Sequence, residues 1–186
     1  MAAADRIRDR ALSALAPAAM AEDRYLAIYM NDQLALGVLW REIARRSQRA
    51  NEGSELGAAL ERVATEIAED VKTFEDIMRR VELPRTPAKP LLAIVGERVG
   101  RLKFNGQLSG YSPLSRFEEL DVLVMGIDGK RVLWATLRDL AGLGTRLPDV
   151  DFDELIERAR RQLALLEPFH AEAGRAALAA GSAARG

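Results

Sequence analysis

The sequence predicts an all-α fold: an antiparallel four-helix bundle with an additional C-terminal fifth helix. Three observations predict it. Apolar residues recur at spacings of three and four along several long stretches. Helix caps and prolines punctuate those stretches. No alternating apolar and polar run marks a strand. At 186 residues the chain fits one domain with a sizeable core.

Residues 1–18 are alanine-rich and contain Pro17, so they are expected to form a loose or partly helical arm. A first helix is expected over 19–48, with the stripe Tyr25, Tyr29, Asp32, Leu36, Leu39 and Ile43. Leu26, Met30, Gln33 and Trp40 widen that face. This helix is apolar nearly all round between Tyr25 and Trp40, which predicts a central position. Asn51, Glu52 and Gly53 make a turn, and Ser54 caps a second helix. Its stripe is Leu56, Leu60, Val63, Ile67, Asp70, Phe74, Ile77 and Val81.

Pro84, Pro87 and Pro90 mark a kinked connection to a shorter third helix over 89–104. After a Gly/Ser-rich loop at 105–112, Ser112 and Pro113 read as N-cap and first helical residue. The fourth helix carries the stripe Leu120, Leu123, Ile127, Lys130, Trp134 and Leu137. Gly126 and Gly129 are expected to bend it. Residues 142–148 break the chain. Asp151 and Glu154 form a capping box for a fifth helix presenting Phe152, Ile156, Ala159, Leu163 and Leu166, with a kink expected at Pro168. The bundle domain is thus expected over 19–178, with a frayed tail at 179–186.

Composition narrows the chemistry. The chain has one histidine, no cysteine and a formal charge of −1. Without cysteine there are no disulfides, thiolate metal sites or thiol nucleophiles. The neutral balance gives no electrostatic footprint for nucleic acid or an anionic membrane. No apolar segment follows the charged residues at 1–10, and no apolar run approaches the roughly 18–20 residues of a membrane span. A cytoplasmic protein is expected.

Two acids break the apolar stripes. Asp32 lies 19 residues before Asn51 and Asp70 lies 19 after it. At about 1.5 Å per residue, an antiparallel pair places the two at nearly one height. Two carboxylates at one level of a core require a countercharge. The same counting brings Glu97 and Arg98 of the third helix, and Glu118 and Asp121 of the fourth, to that height. Arg98 continues the stripe Leu91, Val95, Arg98, Leu102 and can bridge two carboxylates through its planar fork. Asn31 and Gln33 can complete the hydrogen bonding. Lys130 also lies on a stripe, but counting places it at another level and ranks it below Arg98.

These carboxylates carry a resemblance. Asp32 on the first helix, Glu66-Ile67-Ala68-Glu69-Asp70 on the second, Glu97 on the third and Glu118-Glu119-Leu120-Asp121 on the fourth are similar to the di-metal layout of ferritin-like bundles. The pattern covers roughly residues 20–142. Both Glu-x-x-His histidines are replaced by acids. The resemblance implies a divergent metal-binding protein or oxidoreductase with Asp32, Glu66, Asp70, Glu97, Glu118 and Asp121 as ligands. An all-oxygen set suits Mn, Mg or Ca, while Fe is the metal of the family's oxygen chemistry. The residues themselves favour another outcome: a buried network of Asp32, Asp70, Arg98, Gln33 and Asn31, needing no cofactor. The expected function is then a non-enzymatic interaction or scaffold protein that forms a homo-oligomer or binds a protein partner.

Other signals are weaker. Glu167 and His170 make a formal Glu-x-x-His, but one copy containing Pro168 reads as an ordinary half-exposed histidine. Gly96 and Gly100 read as a packing device, because neither the Lys nor the Ser/Thr of a phosphate loop follows them. Arg41, Arg45, Arg46 and Arg49 complement the first helix's dipole. The loop at 103–116, with Lys103, Tyr111 and Arg116, reads as a surface connection. The tail at 181–186 faintly resembles a cargo-loading peptide without its leucine. A small-molecule site near Tyr25, Tyr29 and Trp40 stays open.

Overall fold

The computed structural model describes residues 2–83 and 112–183, with side chains from 24 to 83 and from 112 to 179. Arg98 and Glu97, the expected third helix with Gly96 and Gly100, most of the loop at 103–116 and the last tail residues lie outside the described residues. The described residues are helical without a strand, as expected. The helices are α1 (Ala2–Ala50), α2 (Glu55–Arg80), α3 (Pro113–Asp139), a single turn α4 (Leu143–Arg146) and α5 (Phe152–Ala183).

Local chemistry sets the boundaries. Ser54 accepts the Gly57 amide at 3.0 Å and Ser112 accepts the Ser115 amide at 3.0 Å, so both expected N-caps are made. Asp151 accepts the Glu154 amide at 2.9 Å at the start of α5. The α1–α2 turn is tight: Asn51 Nδ2 donates to the Ser47 carbonyl at 2.7 Å. A Cβ on Gly57 would stand 2.1 Å from the Asn51 carbonyl oxygen, so only glycine fits there. The segment expected as an arm is the opening of α1, consistent with alanine being the best helix former. The tail expected to fray from 179 is helical through Ala183.

Among the described residues, four long helices are in contact in the order α1–α2–α5–α3 and back to α1. Each is antiparallel to both neighbours. Along α2 and α5, Glu66 meets Gln162, Glu69 meets Arg158 and Arg80 meets Asp149. Along α3 and α5, Asp121 meets His170, Lys130 meets Gln162 and Arg138 meets Asp153. Arg46 of α1 meets Glu119 of α3, and Trp40 meets Gly126. The C-terminal helix lies along α3 and touches α2.

The core divides into two apolar clusters. One gathers Met30, Phe74, Ile77, Trp134, Leu137, Leu143 and Phe152 around the α4 end. The other gathers Ile43, Leu60, Val63, Ile67, Leu120, Leu123, Ile127 and Leu166 toward the opposite end. The expected stripe of α2 is buried except for half-buried Val81. Every apolar member of the expected α3 stripe is buried.

α1 turns out differently. Its buried side chains are Ala27, Met30, Ala35, Ile43, Ala44 and Ser47, while Tyr25 and Asp32 are exposed. Small residues let α1 approach its neighbours closely. Hydrophobicity alone could not choose a face on a helix apolar nearly all round. At Gly126 a Cβ would stand 2.1 Å from Trp40 Nε1, so the indole packs directly on the α3 backbone.

Alanine exceeds glycine in helix propensity by about 1 kcal/mol, so an unobstructed Gly126→Ala would stabilise the protein. Overpacking costs about 1–3 kcal/mol, and we expect a net loss of stability in urea unfolding. In a Trp40→Leu background the same substitution should become neutral or stabilising. Stabilisation by Gly126→Ala in the parent chain would contradict the contact.

Candidate functional site: a buried charged layer

The boundary between the two apolar clusters is polar. Asp70 falls between Ile67 and Phe74 on α2, and Lys130 between Ile127 and Leu133 on α3. Asp70 is 2% exposed. Its Oδ2 accepts from the Lys130 ammonium, and its Oδ1 lies 3.4 Å from Arg158 Nε of α5. Lys130 Nζ also donates to Gln162 Oε1 at 2.6 Å. Gln162 is 1% exposed and turns its amide toward Glu66, donating at 2.9 Å. Glu66 in turn accepts from Arg62 at 3.1 Å on the surface. Arg158 donates to Glu69 at 2.9 Å. The result is a chain of charge-assisted hydrogen bonds from solvent to the core, joining α2, α3 and α5.

Charges balance within it. Lys130 and Arg158 face Asp70, while toward the rim Arg62 pairs with Glu66 and Arg158 with Glu69. Burial lowers the Lys130 pKa below the ordinary lysine value, and the neighbouring Asp70 carboxylate opposes that shift. A cavity of about 40 Å³ adjoins the pair, flanked by Gln33, Gly37, Trp40, Asp70, Gly126 and Lys130. That is room for one or two waters. Ligand pockets run to about 300–1,000 Å³.

The sequence-predicted residues are placed as follows. Asp70 is buried at the centre, as expected. Asp32 is exposed, which corrects its assignment to the buried layer. Height was counted correctly, but the helix face was not, because Asp32 shares the outward side of α1 with Tyr25. Gln33 borders the cavity, and Asn31 is half-buried with its amide on the Ala27 carbonyl at 2.7 Å. Lys130, ranked below Arg98 by level counting, is the cation on Asp70. Of the alternative metal ligands, Glu66 and Asp70 face basic or amide partners, Glu118 is half-buried, and Asp121 pairs with His170 Nε2 at 3.0 Å. Among the described residues no three acidic or histidine side chains converge as metal ligands.

Two participants in the layer, Gln162 and Arg158, were missed, as was a separate buried pair. Gln162 stands in the α5 stripe at the spacing Leu155, Ala159, Gln162, Leu166, and its polarity there was the available signal. Arg158, one turn before it, lies beside the same stripe. Glu119 is 1% exposed and pairs with Arg46 Nη2 at 3.0 Å, a second buried carboxylate placed between the two acids that were singled out. His170, read as ordinary, stacks on Phe117 with ring centroids 5.2 Å apart. No protein family, curated protein or solved structure matches this chain.

Removing one partner of a buried ion pair costs about 3–5 kcal/mol, and Asp70→Asn should lose that much in chemical unfolding. Asp32→Asn should stay within about 0.5 kcal/mol, as exposed substitutions do. Equal losses would contradict the assignment.

The lowered Lys130 pKa has a pH signature. Between that value and the unfolded lysine's, about 10.4, the unfolded chain binds more protons, so stability rises with pH. The contribution is complete above that range and is lost as pH falls through the folded-state pKa. Lys130→Arg stays charged throughout. The stability difference, parent minus Lys130→Arg, should therefore grow between pH 8 and pH 10.5; a flat or falling difference would contradict it.

Proposed function

We propose that this chain is a non-enzymatic helical interaction or scaffold module, in which a carboxylate–cation network replaces the di-metal site of a ferritin-like bundle. The observation that carries the reading is Asp70, buried between Lys130 and Arg158. Ferritin-like bundles join two antiparallel helix pairs by one long connection and point acids and histidines inward from all four helices. Here α1–α2 and α3–α5 are the two pairs, connected through residues 81–112. On this assignment the inward positions level with Asp70 belong to Lys130 on α3 and to Arg158 and Gln162 on α5.

Cations and an amide at those positions suit carboxylates and repel a metal ion. Each charge meets an opposite charge, while Asp70 Oδ1 and Arg158 Nε make no hydrogen bond among the described residues, and the adjoining cavity of about 40 Å³ is too small for a substrate. A protein with such an interior works through its surface. No described helix is long and apolar enough to cross a membrane.

Elemental analysis of purified protein tests the reading against an all-carboxylate site. We expect far less than one transition or alkaline-earth ion per chain, unchanged in Asp70→Asn. About one ion per chain that disappears in Asp70→Asn would overturn the proposal.

A further inference from the structure

Among the described residues α1 has two neighbours, and part of its apolar surface is uncovered. Tyr25 is 72% exposed and Ile28 beside it 48%. On the adjacent helix Leu140 is 85% exposed and Val132 49%. Between the two helices runs a groove of about 530 Å³, lined by Tyr25, Leu26, Tyr29, Thr136, Leu140 and Arg146 among others. Aromatic and aliphatic side chains exposed together on one face mark an interaction surface rather than scattered surface residues.

The charges at its ends specify the partner. Asp32 lies two turns beyond Tyr25, about 10 Å along the axis and about 20° away around it. Because α3 runs antiparallel to α1, the face passes from Arg146, past Leu140 and Tyr25, then Thr136 and Tyr29, to Val132 and Asp32. The side chains of Asp32 and Arg146 are both exposed, and among the described residues neither makes a hydrogen bond or ion pair. The strip is therefore positive at one end, apolar in the middle and negative at the other.

Such a strip is complementary to itself. A two-fold rotation lays the same face over it in reverse, setting Arg146 against Asp32 at both ends and apolar against apolar between them. We propose that this face seats a second copy of the chain in a two-fold dimer, burying Tyr25, Ile28, Val132 and Leu140 and pairing Asp32 of each copy with Arg146 of the other. This rests on the reading of the chain as an interaction module, and names the partner and the surface.

Sedimentation or light scattering of the full chain tests it. The parent should show twice the 20.5 kDa chain mass at micromolar concentration. Asp32→Arg and Arg146→Asp should each weaken the dimer by about 10-fold or more, since each sets like charges together at both ends. The double variant should recover the dimer, because the two ends have simply exchanged sign. Both positions are exposed, so the helical circular dichroism of all variants should match the parent. A parent chain that stays monomeric at about 100 μM would overturn the proposal, leaving the groove to another protein or to this chain's own residues 84–111. So would a dimer indifferent to both single reversals. Either result leaves the metal content of the protein unchanged, so failure here is distinct from failure of the reading it rests on.

Discussion

A carboxylate drawn into a helical core has to be neutralised there, and the contact between Asp70 and Lys130 is where this chain does so. The rest of the architecture depends on that contact. It sits at the level where one apolar cluster ends and the other begins. It also fixes register among three helices. Asp70 meets α5 at Arg158, and Lys130 meets α5 at Gln162. Sliding α5 by one turn would exchange one apolar contact for another at small cost. The same slide would take Arg158 from Asp70 and Glu69 and Gln162 from Lys130, and an unpaired, partly buried cation costs several kcal/mol. The layer thus contributes specificity of packing more than net stability.

Much of the fold was legible because the hydrophobic pattern in α2, α3 and α5 is one-sided. Ile67, Phe74, Leu123, Ile127 and Ile156 could face only inward, and Ser54, Ser112 and Asp151 could only begin helices. α1 was not legible in this way. Tyr25, Tyr29, Leu36 and Trp40 drew the stripe onto one face, while Ala27, Met30 and Ala35, with a weaker signal, are the residues buried. Small side chains carry little hydrophobic signal, yet they are what allows close helix approach.

The site was legible in kind and only partly in its members. A polar layer with Asp70 and a cation could be read from acids placed on apolar stripes. Its cation could not, because level counting did not set α5 beside α2 and α3. Once α5 is the wall beside α2 and α3, Lys130 comes level with Asp70, and Gln162 and Arg158 complete the set. Asp32 was placed at the right height on the wrong face. Its exposure is informative in turn: the interior sets its charges against one another, while the outer face of α1 and α3 exposes Asp32 and uncovered apolar side chains. The chemistry open to a partner is outside.

The central claim is that Asp70 and Lys130 hold each other in the core. A double-mutant cycle with Asp70→Asn, Lys130→Met and the pair, followed by urea unfolding, measures that directly. Residues in one buried network couple by about 0.5–3 kcal/mol, and we predict a value in the upper half of that range, with the double variant far less damaged than the sum of the singles. A coupling energy near zero would contradict the account.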